Sequence, residues 1–331
     1  MKILFELSGE HPSLPAAEVR ACMSAYGIDF DGFEKKGILV LDAGVDEDKI
    51  RMIANRLALS HSVNCILACG NLDDIEKKVA GLDFGEGKTF GIRVKKFGGE
   101  TSTSLLKKRI GRTIERSKHI SVNLEDPDIK ISIFAGRDIY LCREMTSVDR
   151  KIFELRKPHY RPFSSPISLH PRIAAALVNL ARVVAGESLL DPFCGTGGIL
   201  IEAGLMGAKV VGVDIKENIV SGCRRNLEHC GIDDAILYSG DSTEMDIGPV
   251  DAIVTDLPYG RSTYTGGDIG VLYEKSFGRM RKWLKDGKRA VVGLPEKRFA
   301  DVGSRYLHLE EIHTMRVHRS LTRYFCVYRK I

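Results

Sequence analysis

The chain of 331 residues is long enough for two or three domains, and its 44% hydrophobic and 28% charged residues exclude a disordered or fibrous protein. Apolar runs such as residues 174–180 and 199–206 fall far short of the roughly 20 residues of a membrane-spanning helix. Because Glu6 and Gly9 also interrupt any signal-peptide core, we expect a cytoplasmic protein without a membrane partner.

The formal charge of +5 is unevenly distributed. Residues 1–90 carry 10 basic and 15 acidic side chains, and residues 171–278 carry 8 and 15. Residues 91–170 carry 17 basic and 9 acidic side chains, and residues 279–331 carry 14 and 5. The two basic blocks favour a polyanionic partner, with a solvated surface as the alternative.

Cysteine spacing gives no sign of a metal site. None of the eight cysteines forms a Cys-x-x-Cys pair, and Cys65 and Cys69 have no histidine close in sequence. We therefore predict free thiols in a reducing compartment and no bound metal.

Apolar periodicity predicts alternating strands and helices in the first half of the chain. The predicted strands are residues 2–8, 37–42, 63–69 and 89–97, followed by a hairpin of residues 129–133 and 139–141. The predicted helices are residues 14–26, 46–59, 72–80 and 102–117. Residues 145–165 show little periodicity, which predicts an interdomain linker.

Downstream, strands and helices alternate regularly. The predicted strands are residues 188–193, 209–215, 235–240, 251–256 and 289–294, with a closing strand pair at 306–317 and 323–329. The predicted helices are residues 170–185, 198–206, 217–230 and 272–284. This alternation predicts an α/β fold with a mostly parallel sheet covered on both faces. The tight turn between the last two strands predicts one antiparallel edge strand.

A glycine-rich loop lies between the strand at 188–193 and the helix at 198–206. Its small residues let the backbone approach a ligand, and the helix amino terminus offers unpaired N–H groups. A dinucleotide-binding fingerprint needs a third glycine, which is missing here. Asp191 moreover stands at the strand end, where it would repel a pyrophosphate but attract a cation.

Two further carboxylates end the following strands. Asp214 lies 23 residues after Asp191, in the position from which a ribose diol is held in such folds, and Asp241 ends the next strand. Three strand-end aspartates favour S-adenosylmethionine, whose sulfonium and ammonium groups are cationic, over NAD or ATP. For each aspartate alone, a loop cap is the alternative. The predicted cofactor contacts in these strand ends and loops are Asp191, Phe193, Gly195, Gly197, Asp214 and Asp241.

The fourth of these strands ends in residues 255–260, Thr-Asp-Leu-Pro-Tyr-Gly. This segment resembles the Asp/Asn-x-Pro-Tyr motif of amino-methyltransferases with a Rossmann-like S-adenosylmethionine domain. An exocyclic amine of a nucleobase is a poor nucleophile because its lone pair is delocalised into the ring. Asp256 and a backbone carbonyl fixed by Pro258 can accept its N–H groups and direct the lone pair at the methyl carbon. Tyr259 would stack on a flipped base.

The resemblance thus implies catalytic roles for Asp256, Pro258 and Tyr259, whereas the motif alone could be a proline turn at a strand end. Many adenine-N6 enzymes carry a second proline where this chain has Leu257, so the sequence is compatible with guanine-N2 chemistry. Residues 161–171 look like the segment that packs over the methionine end of the cofactor in this family. His170 in that segment is a predicted cofactor contact, with a structural role as its alternative.

Residues 89–144 resemble a THUMP domain, an RNA-binding module, through a strand, a basic helix and a closing hairpin. Phosphate contacts require a high density of Lys and Arg, which fits the basic block 91–170. A solvated helix face is the alternative for each basic side chain. The predicted RNA contacts are Lys95, Lys96, Lys107, Lys108, Arg109 and Arg112.

Together these features resemble the archaeal tRNA guanine-N2 methyltransferases that modify guanosine at position 10. The resemblance implies a ferredoxin-like domain at residues 1–60, a THUMP domain at 61–144, a linker at 145–165 and a Rossmann-like methyltransferase domain at 166–331. It implies S-adenosylmethionine as cofactor and tRNA as partner. The alternatives are a guanine-N2 methyltransferase acting on another tRNA position or on ribosomal RNA, and an RNA-binding protein that kept the fold without catalysis.

Overall fold

The computed structural model describes residues 1–98, 102–164, 168–259, 268–318 and 321–331. These residues form two compact units. The first unit comprises Met1–Gly9, Ile28–Asn55 and Ser60–Asp149, and the second comprises Glu10–Gly27, Arg56–Leu59 and Arg150–Ile331. The predicted domain boundaries, with domains at residues 1–60, 61–144 and 166–331 and a linker at 145–165, stay predictions.

The described strands are β1 (Lys2–Leu7), β2 (Phe30–Lys35), β3 (Ile38–Ala43), β4 (Ser60–Gly70), β5 (Thr89–Lys96), β6 (Ser121–Val122), β7 (Ile129–Ala135), β8 (Ile139–Ser147), β9 (Ser188–Asp191), β10 (Lys209–Asp214), β11 (Ile236–Ser239), β12 (Val250–Asp256), β13 (Leu284–Leu294), β14 (His308–His318) and β15 (Leu321–Arg329). The described helices are α1 (Leu14–Ala25), α2 (Glu47–Ala54), α3 (Leu72–Val79), α4 (Thr103–Lys118), α5 (Lys151–Glu154), α6 (Pro171–Leu180), α7 (Gly198–Leu205), α8 (Glu217–His229), α9 (Ile269–Trp283) and α10 (Phe299–Ser304).

The first unit contains an eight-stranded sheet in the order β2-β3-β1-β4-β8-β7-β5-β6. Strand β5 runs parallel to β6 and β7, and the other neighbours are antiparallel. Strands from residues 1–60 and from residues 61–144 therefore share one sheet. Helices α3 and α4 bury apolar side chains such as Ile75 and Ile110 against this sheet in one hydrophobic cluster.

The second unit contains a seven-stranded sheet in the order β11-β10-β9-β12-β13-β15-β14. Strands β9 to β13 pair in parallel, whereas β15 is antiparallel to both of its neighbours. The predicted α/β class is confirmed, but the antiparallel strand does not lie at the edge. It is inserted between β13 and β14, because the chain turns back after the edge strand β14.

The strand order places the site. Strand β9 begins a progression through β10 and β11 on one side, and β12 lies on its other side. In open α/β sheets, ligands bind beyond the carboxyl ends of the strands at such a reversal of order. The ends of β9 and β12 carry Asp191 and Asp256, so the predicted cofactor and catalytic positions meet at this reversal.

Helix α1 belongs to the second unit through a buried carboxylate. Glu18 is fully buried and accepts hydrogen bonds from the backbone N–H groups of Ala58 and Leu59 (both 2.9 Å) and from Asn179 Nδ2 (2.9 Å). These bonds join α1 and the segment Arg56–Leu59 to α6. Without the Glu18 carboxylate, these three donors would need water molecules inside a closed core as acceptors.

Replacing Glu18 with alanine is expected to lower the free energy of unfolding by about 3 kcal/mol, because buried donors are left unpaired at about 1–3 kcal/mol each. Urea denaturation followed by circular dichroism measures the change. Glu228→Ala, which removes an exposed carboxylate from α8, is the matched control and should be nearly neutral. An equal effect of both variants would contradict the role given to Glu18.

Candidate active site

The loop between β9 and α7 adopts backbone conformations that only glycine adopts freely. Gly195 and Gly197 have φ of +50° and +83°. A Cβ on Gly197 would lie 2.7 Å from Cys223 Sγ, whereas a Cβ on Gly195 would meet no atom of the described residues within 4 Å. Among these residues the loop is therefore packed at Gly197 and open in front of Gly195, where a ligand can approach the backbone.

Asp191 is buried at the end of β9, with 2% of its surface exposed. Its Oδ1 accepts hydrogen bonds from Thr255 Oγ1 (2.7 Å) and from the backbone N–H of Phe193 (3.1 Å). Burial raises the pKa of Asp191 to about 7, and the nearby carboxylates of Asp256 and Asp214 act in the same direction. A cation bound here would relieve this cost.

Asp214 and Asp241 stand at the next two strand ends. Asp214 accepts the backbone N–H groups of Gly195 (3.2 Å) and Lys216 (3.0 Å), so it is tied to the glycine loop. Asp241 is exposed and accepts both the backbone N–H and the hydroxyl of Thr243 (2.8 Å each). These are the bonds expected of a carboxylate that caps a loop, which was the alternative to ligand binding. Each carboxylate nevertheless keeps lone pairs for a ligand.

These residues fit S-adenosylmethionine by their chemistry. The strand ends and the glycine-rich loop combine a buried carboxylate with a raised pKa, a second carboxylate at the end of β10 and, among the described residues, an open space in front of Gly195. Asp191 is suited to the cationic end of the cofactor and Asp214 to its ribose diol. These assignments, like that of Phe193, stay predictions.

Asp256, at the end of β12, is the centre of a hydrogen-bonded group. Its Oδ1 accepts the hydroxyl proton of Tyr259, and its Oδ2 lies 3.1 Å from a guanidinium nitrogen of Arg323. Burial raises the pKa of Asp256, while Arg323 and the Tyr259 hydrogen bond oppose that rise. The structure thus brings the predicted residues Asp256 and Tyr259 together.

The backbone after Asp256 is held on both sides. The N–H of Leu257 donates to the carbonyl of Gly293 (3.1 Å), and the hydroxyl of Tyr273 donates to the carbonyl of Pro258 (2.8 Å). Hydrogen bonds from two neighbouring elements therefore hold the backbone of Leu257 and Pro258. Gly260, the last residue of the predicted motif, lies outside the described residues.

Arg323 is a residue that the motif analysis missed. It lies on β15, is 6% exposed, and donates from Nε to the hydroxyl of Tyr259 (2.8 Å). In the sequence it is one of 14 basic residues of the block 279–331, 64 positions after Tyr259. The sequence offers one weak indication of a role for Arg323, which is a charged residue on the largely apolar predicted strand 323–329.

His170 serves as the N-cap of α6. Its Nδ1 accepts the backbone N–H of Arg172 (3.2 Å), and its Nε2 lies 3.4 Å from Glu154. Both ring nitrogens have protein partners, which favours the structural alternative, and the cofactor contact stays a prediction. Within the same segment, the backbone of Phe163 bonds to the Asn226 side chain on α8, while residues 165–167 lie outside the described residues.

Two of the predicted RNA contacts are engaged in ion pairs inside the first unit. Lys95 contacts the buried carboxylate of Glu6. Arg109 donates to Glu76 (3.0 Å from Nε) and to Asp73 (2.7 Å) on α3. Carboxylates offset these two charges, so Lys95 and Arg109 are less suited to phosphate than their sequence context predicts.

The other predicted RNA contacts are exposed. Lys96 lies on β5, and Lys107, Lys108 and Arg112 line a cavity of about 200 Å³ beside α4. The lining of this cavity also includes the apolar residues Phe90, Ile92, Val122 and Leu124. It thus presents positive charge around an apolar surface.

Within the described ranges, no cluster of three or more His, Cys, Asp or Glu side chains is arranged to hold a metal ion. No helix in the same ranges is long and apolar enough to cross a membrane.

Residues 158–324 match the family described as RMKL-like, methyltransferase domain. The chain is 36% identical to the tRNA (guanine(10)-N2)-dimethyltransferase of Methanothermobacter thermautotrophicus, covering 100% of both chains. It is 36% identical to the enzyme of the same name from Pyrococcus abyssi, covering 97% of this chain and 98% of the relative. The crystal structure of TrmN from Thermus thermophilus matches 99% of this chain and 100% of its own, with a TM-score of 0.57 and 19% identity, which shows a shared fold.

The resemblance predicted from the motifs is confirmed. The chain is an enzyme with the methyltransferase fold, and its cofactor is S-adenosylmethionine. The protein belongs to the RMKL-like methyltransferase family and, within it, to the family of the archaeal tRNA (guanine(10)-N2)-dimethyltransferases.

Proposed function

We propose that this protein transfers methyl groups from S-adenosylmethionine to the exocyclic N2 of the guanosine at position 10 of tRNA. The observation that carries the proposal is the Asp256–Tyr259 group beside the acidic strand ends, in a chain 36% identical over its full length to relatives named for this reaction. Those names also support transfer of two methyl groups to the same nitrogen.

The cofactor supplies an electrophilic methyl carbon. Asp256 accepts one N2–H of the guanine through its carboxylate, and the carbonyl of Leu257, held before Pro258, accepts the other. These two acceptors orient the amine and reduce delocalisation of its lone pair, which raises its nucleophilicity. As the new N–C bond forms, the bond between the cofactor sulfur and the methyl carbon would break, and the sulfur would keep its electron pair. One N2 proton is lost from the methylated amine, and the Asp256 carboxylate is placed to receive it.

Tyr259 supplies a ring for the flipped base. Its hydroxyl is fixed by Asp256 and Arg323, and this restricts the orientation of the ring. Stacking on such a preoriented ring offsets part of the energy needed to unstack the target guanine. Tyr273 on α9 supports the same segment through its hydrogen bond to the carbonyl of Pro258.

The experiment is incubation of the protein with labelled S-adenosylmethionine and unmodified tRNA, followed by nucleoside analysis and mapping of the modified position. We expect N2-methylguanosine and N2,N2-dimethylguanosine at position 10. The matched control is the same tRNA with adenosine in place of that guanosine, which should remain unlabelled. Label at another tRNA position or in ribosomal RNA alone would support the alternative substrates, and no label with intact cofactor binding would support a non-catalytic RNA-binding protein.

Cofactor binding is expected to release a proton from Asp191 near neutral pH. The pKa of Asp191, raised by burial to about 7 in the free protein, leaves much of the carboxyl protonated below that pH. A cationic ligand favours the ionised form, so the affinity should rise as the pH increases to about 7 and then level off. Calorimetry at about pH 6 in buffers of different ionisation enthalpy measures the released proton. Asp191→Asn should abolish the buffer dependence, and identical heats for the unaltered protein in both buffers would contradict the assignment.

The exposed basic side chains of α4 are proposed to contact tRNA phosphates. Replacing Lys107 and Lys108 with glutamate should weaken tRNA binding and reduce the slope of log K against log salt by about 2, since each lost phosphate contact removes about one counterion. Filter binding at several salt concentrations measures both quantities. Lys78→Glu on α3 is a single-reversal control that should leave the slope nearly unchanged. An unaltered slope in the double variant would remove α4 from the interface.

A further inference from the structure

Arg323 reaches the catalytic segment from a distant strand. It lies on β15, which pairs with β13, and β13 pairs with β12, the strand that ends in Asp256. The residue opposite Asp256 on β13 is Gly293, where a Cβ would collide with Asp256 Oδ1. The missing side chain on β13 leaves room for the Asp256 carboxylate at this point of the sheet.

The contacts of Arg323 close a ring of three polar groups. One guanidinium nitrogen lies 3.1 Å from Asp256 Oδ2, and Nε donates to the hydroxyl of Tyr259 at 2.8 Å. The same hydroxyl donates to Asp256 Oδ1. The guanidinium carbon also lies 5.6 Å from the centre of the Tyr259 ring, within the range of a cation–π interaction. Arg323 therefore constrains both the carboxylate and the aromatic ring.

The charges around Asp256 make Arg323 important for its ionisation. In the part of the chain that the structure describes, Asp191 on β9 is a second acid that interacts with Asp256, and the hydroxyls of Tyr259 and Tyr273 are further titratable groups nearby. Among the described residues, Arg323 supplies the positive charge that opposes the effect of burial on the pKa of Asp256. Because an arginine stays protonated at every working pH, its effect on the pKa of Asp256 is present throughout that range.

We propose that Arg323 is a positioning residue for methyl transfer, holding Asp256 as a carboxylate and fixing Tyr259 in the orientation that receives the base. This inference rests on the proposed function. It assigns to β15 a part in the active site that the Asp-x-Pro-Tyr segment does not contain. The ionised carboxylate accepts one N2–H of the substrate and then its proton, whereas a protonated carboxyl group could not take up that proton.

The test compares Arg323→Gln and Arg323→Lys with the control Arg329→Gln. Arg329 lies on the same strand, and its Nε is 3.7 Å from Glu310, away from Asp256. Single-turnover methylation of tRNA is measured across pH, together with the dissociation constants for tRNA and S-adenosylmethionine. The titration of Asp256 is followed by the 13Cγ resonance of labelled aspartate, assigned by its loss in Asp256→Asn.

For Arg323→Gln we expect a rate about 10²-fold lower at neutral pH, with little change in either dissociation constant. The acidic limb of the rate profile and the Asp256 titration should both move to higher pH. In Arg323→Lys, the positive charge should return the acidic limb most of the way to its position in the unaltered protein. The rate should recover only in part, because a lysine cannot contact both Asp256 and Tyr259 as the guanidinium does. Arg329→Gln should leave the profile unchanged.

An unchanged acidic limb and unchanged Asp256 titration in Arg323→Gln would overturn the inference, even if the variant loses activity through poorer folding. A profile in Arg323→Gln that matches Arg329→Gln would overturn it as well. Failure of the unaltered protein to methylate tRNA would count against the proposed function instead. The 13C titration would still report whether Arg323 holds Asp256 ionised.

Discussion

Replacing Asp256 with alanine is expected to lower the single-turnover rate of methyl transfer by about 10²- to 10⁴-fold. The affinities for tRNA and S-adenosylmethionine should change little, because the proposed phosphate contacts and the glycine-rich loop lie on other elements. The loss follows from removing the acceptor of an N2 proton, which acts in the transition state more than in the bound substrate. Rapid-quench measurements with saturating tRNA isolate this step from binding.

Asp256→Asn separates charge from hydrogen bonding. Its amide oxygen can still accept the hydroxyl proton of Tyr259, but Arg323 then loses its ion-pair partner. Because an amide cannot take up the N2 proton, we expect the asparagine variant to be as slow as the alanine variant. Asp233→Asn, an exposed acid in the loop after α8, is the control and should be fully active. An equal loss of rate and of tRNA affinity in Asp256→Ala would contradict a catalytic role.

The sequence allowed prediction of the sheet of the second unit because its signals are local. Each parallel strand is an apolar run that ends in a polar turn, and helices between strands show the helical period. The exchange of β14 and β15 could not be predicted, since a tight turn predicted between the last two strands is compatible with either of them next to β13. Strand β2 was missed because five of its six residues are exposed and give no apolar alternation.

The site was predictable where each residue is marked by a local signal in the sequence. Asp191, Asp214 and Asp256 each end a strand, so the general rule for parallel sheets brings them to one edge. Arg323 could not be found this way, because its contact with Asp256 depends on the place of β15 in the sheet. The pairing of Lys95 with Glu6 likewise joins residues 89 positions apart, and no local pattern reveals that partner.

Gly293→Ala is expected to slow methyl transfer by about 10²-fold without removing any functional group. The new Cβ would collide with Asp256 Oδ1 and lie 3.2 Å from its Cγ and 3.3 Å from its Cα. Because the carboxylate must move, its bonds to Tyr259 and Arg323 would be lost or distorted. A shift of about 1 Å at the reacting centre is enough to produce a loss of this size.

A glycine is needed at position 293 because the Asp256 carboxylate lies close to the backbone there. The alanine variant therefore tests the position of the Asp256 carboxylate without removing a functional group. Gly278→Ala on α9 is the matched control: its Cβ would meet only Tyr306 Cε1 at 3.6 Å, an ordinary contact, and alanine favours a helix. We expect the control to be active and equally or more stable. Full activity of Gly293→Ala would show that the reaction tolerates a displaced Asp256 carboxylate, and the catalytic geometry derived for Asp256, Tyr259 and Arg323 would then be wrong.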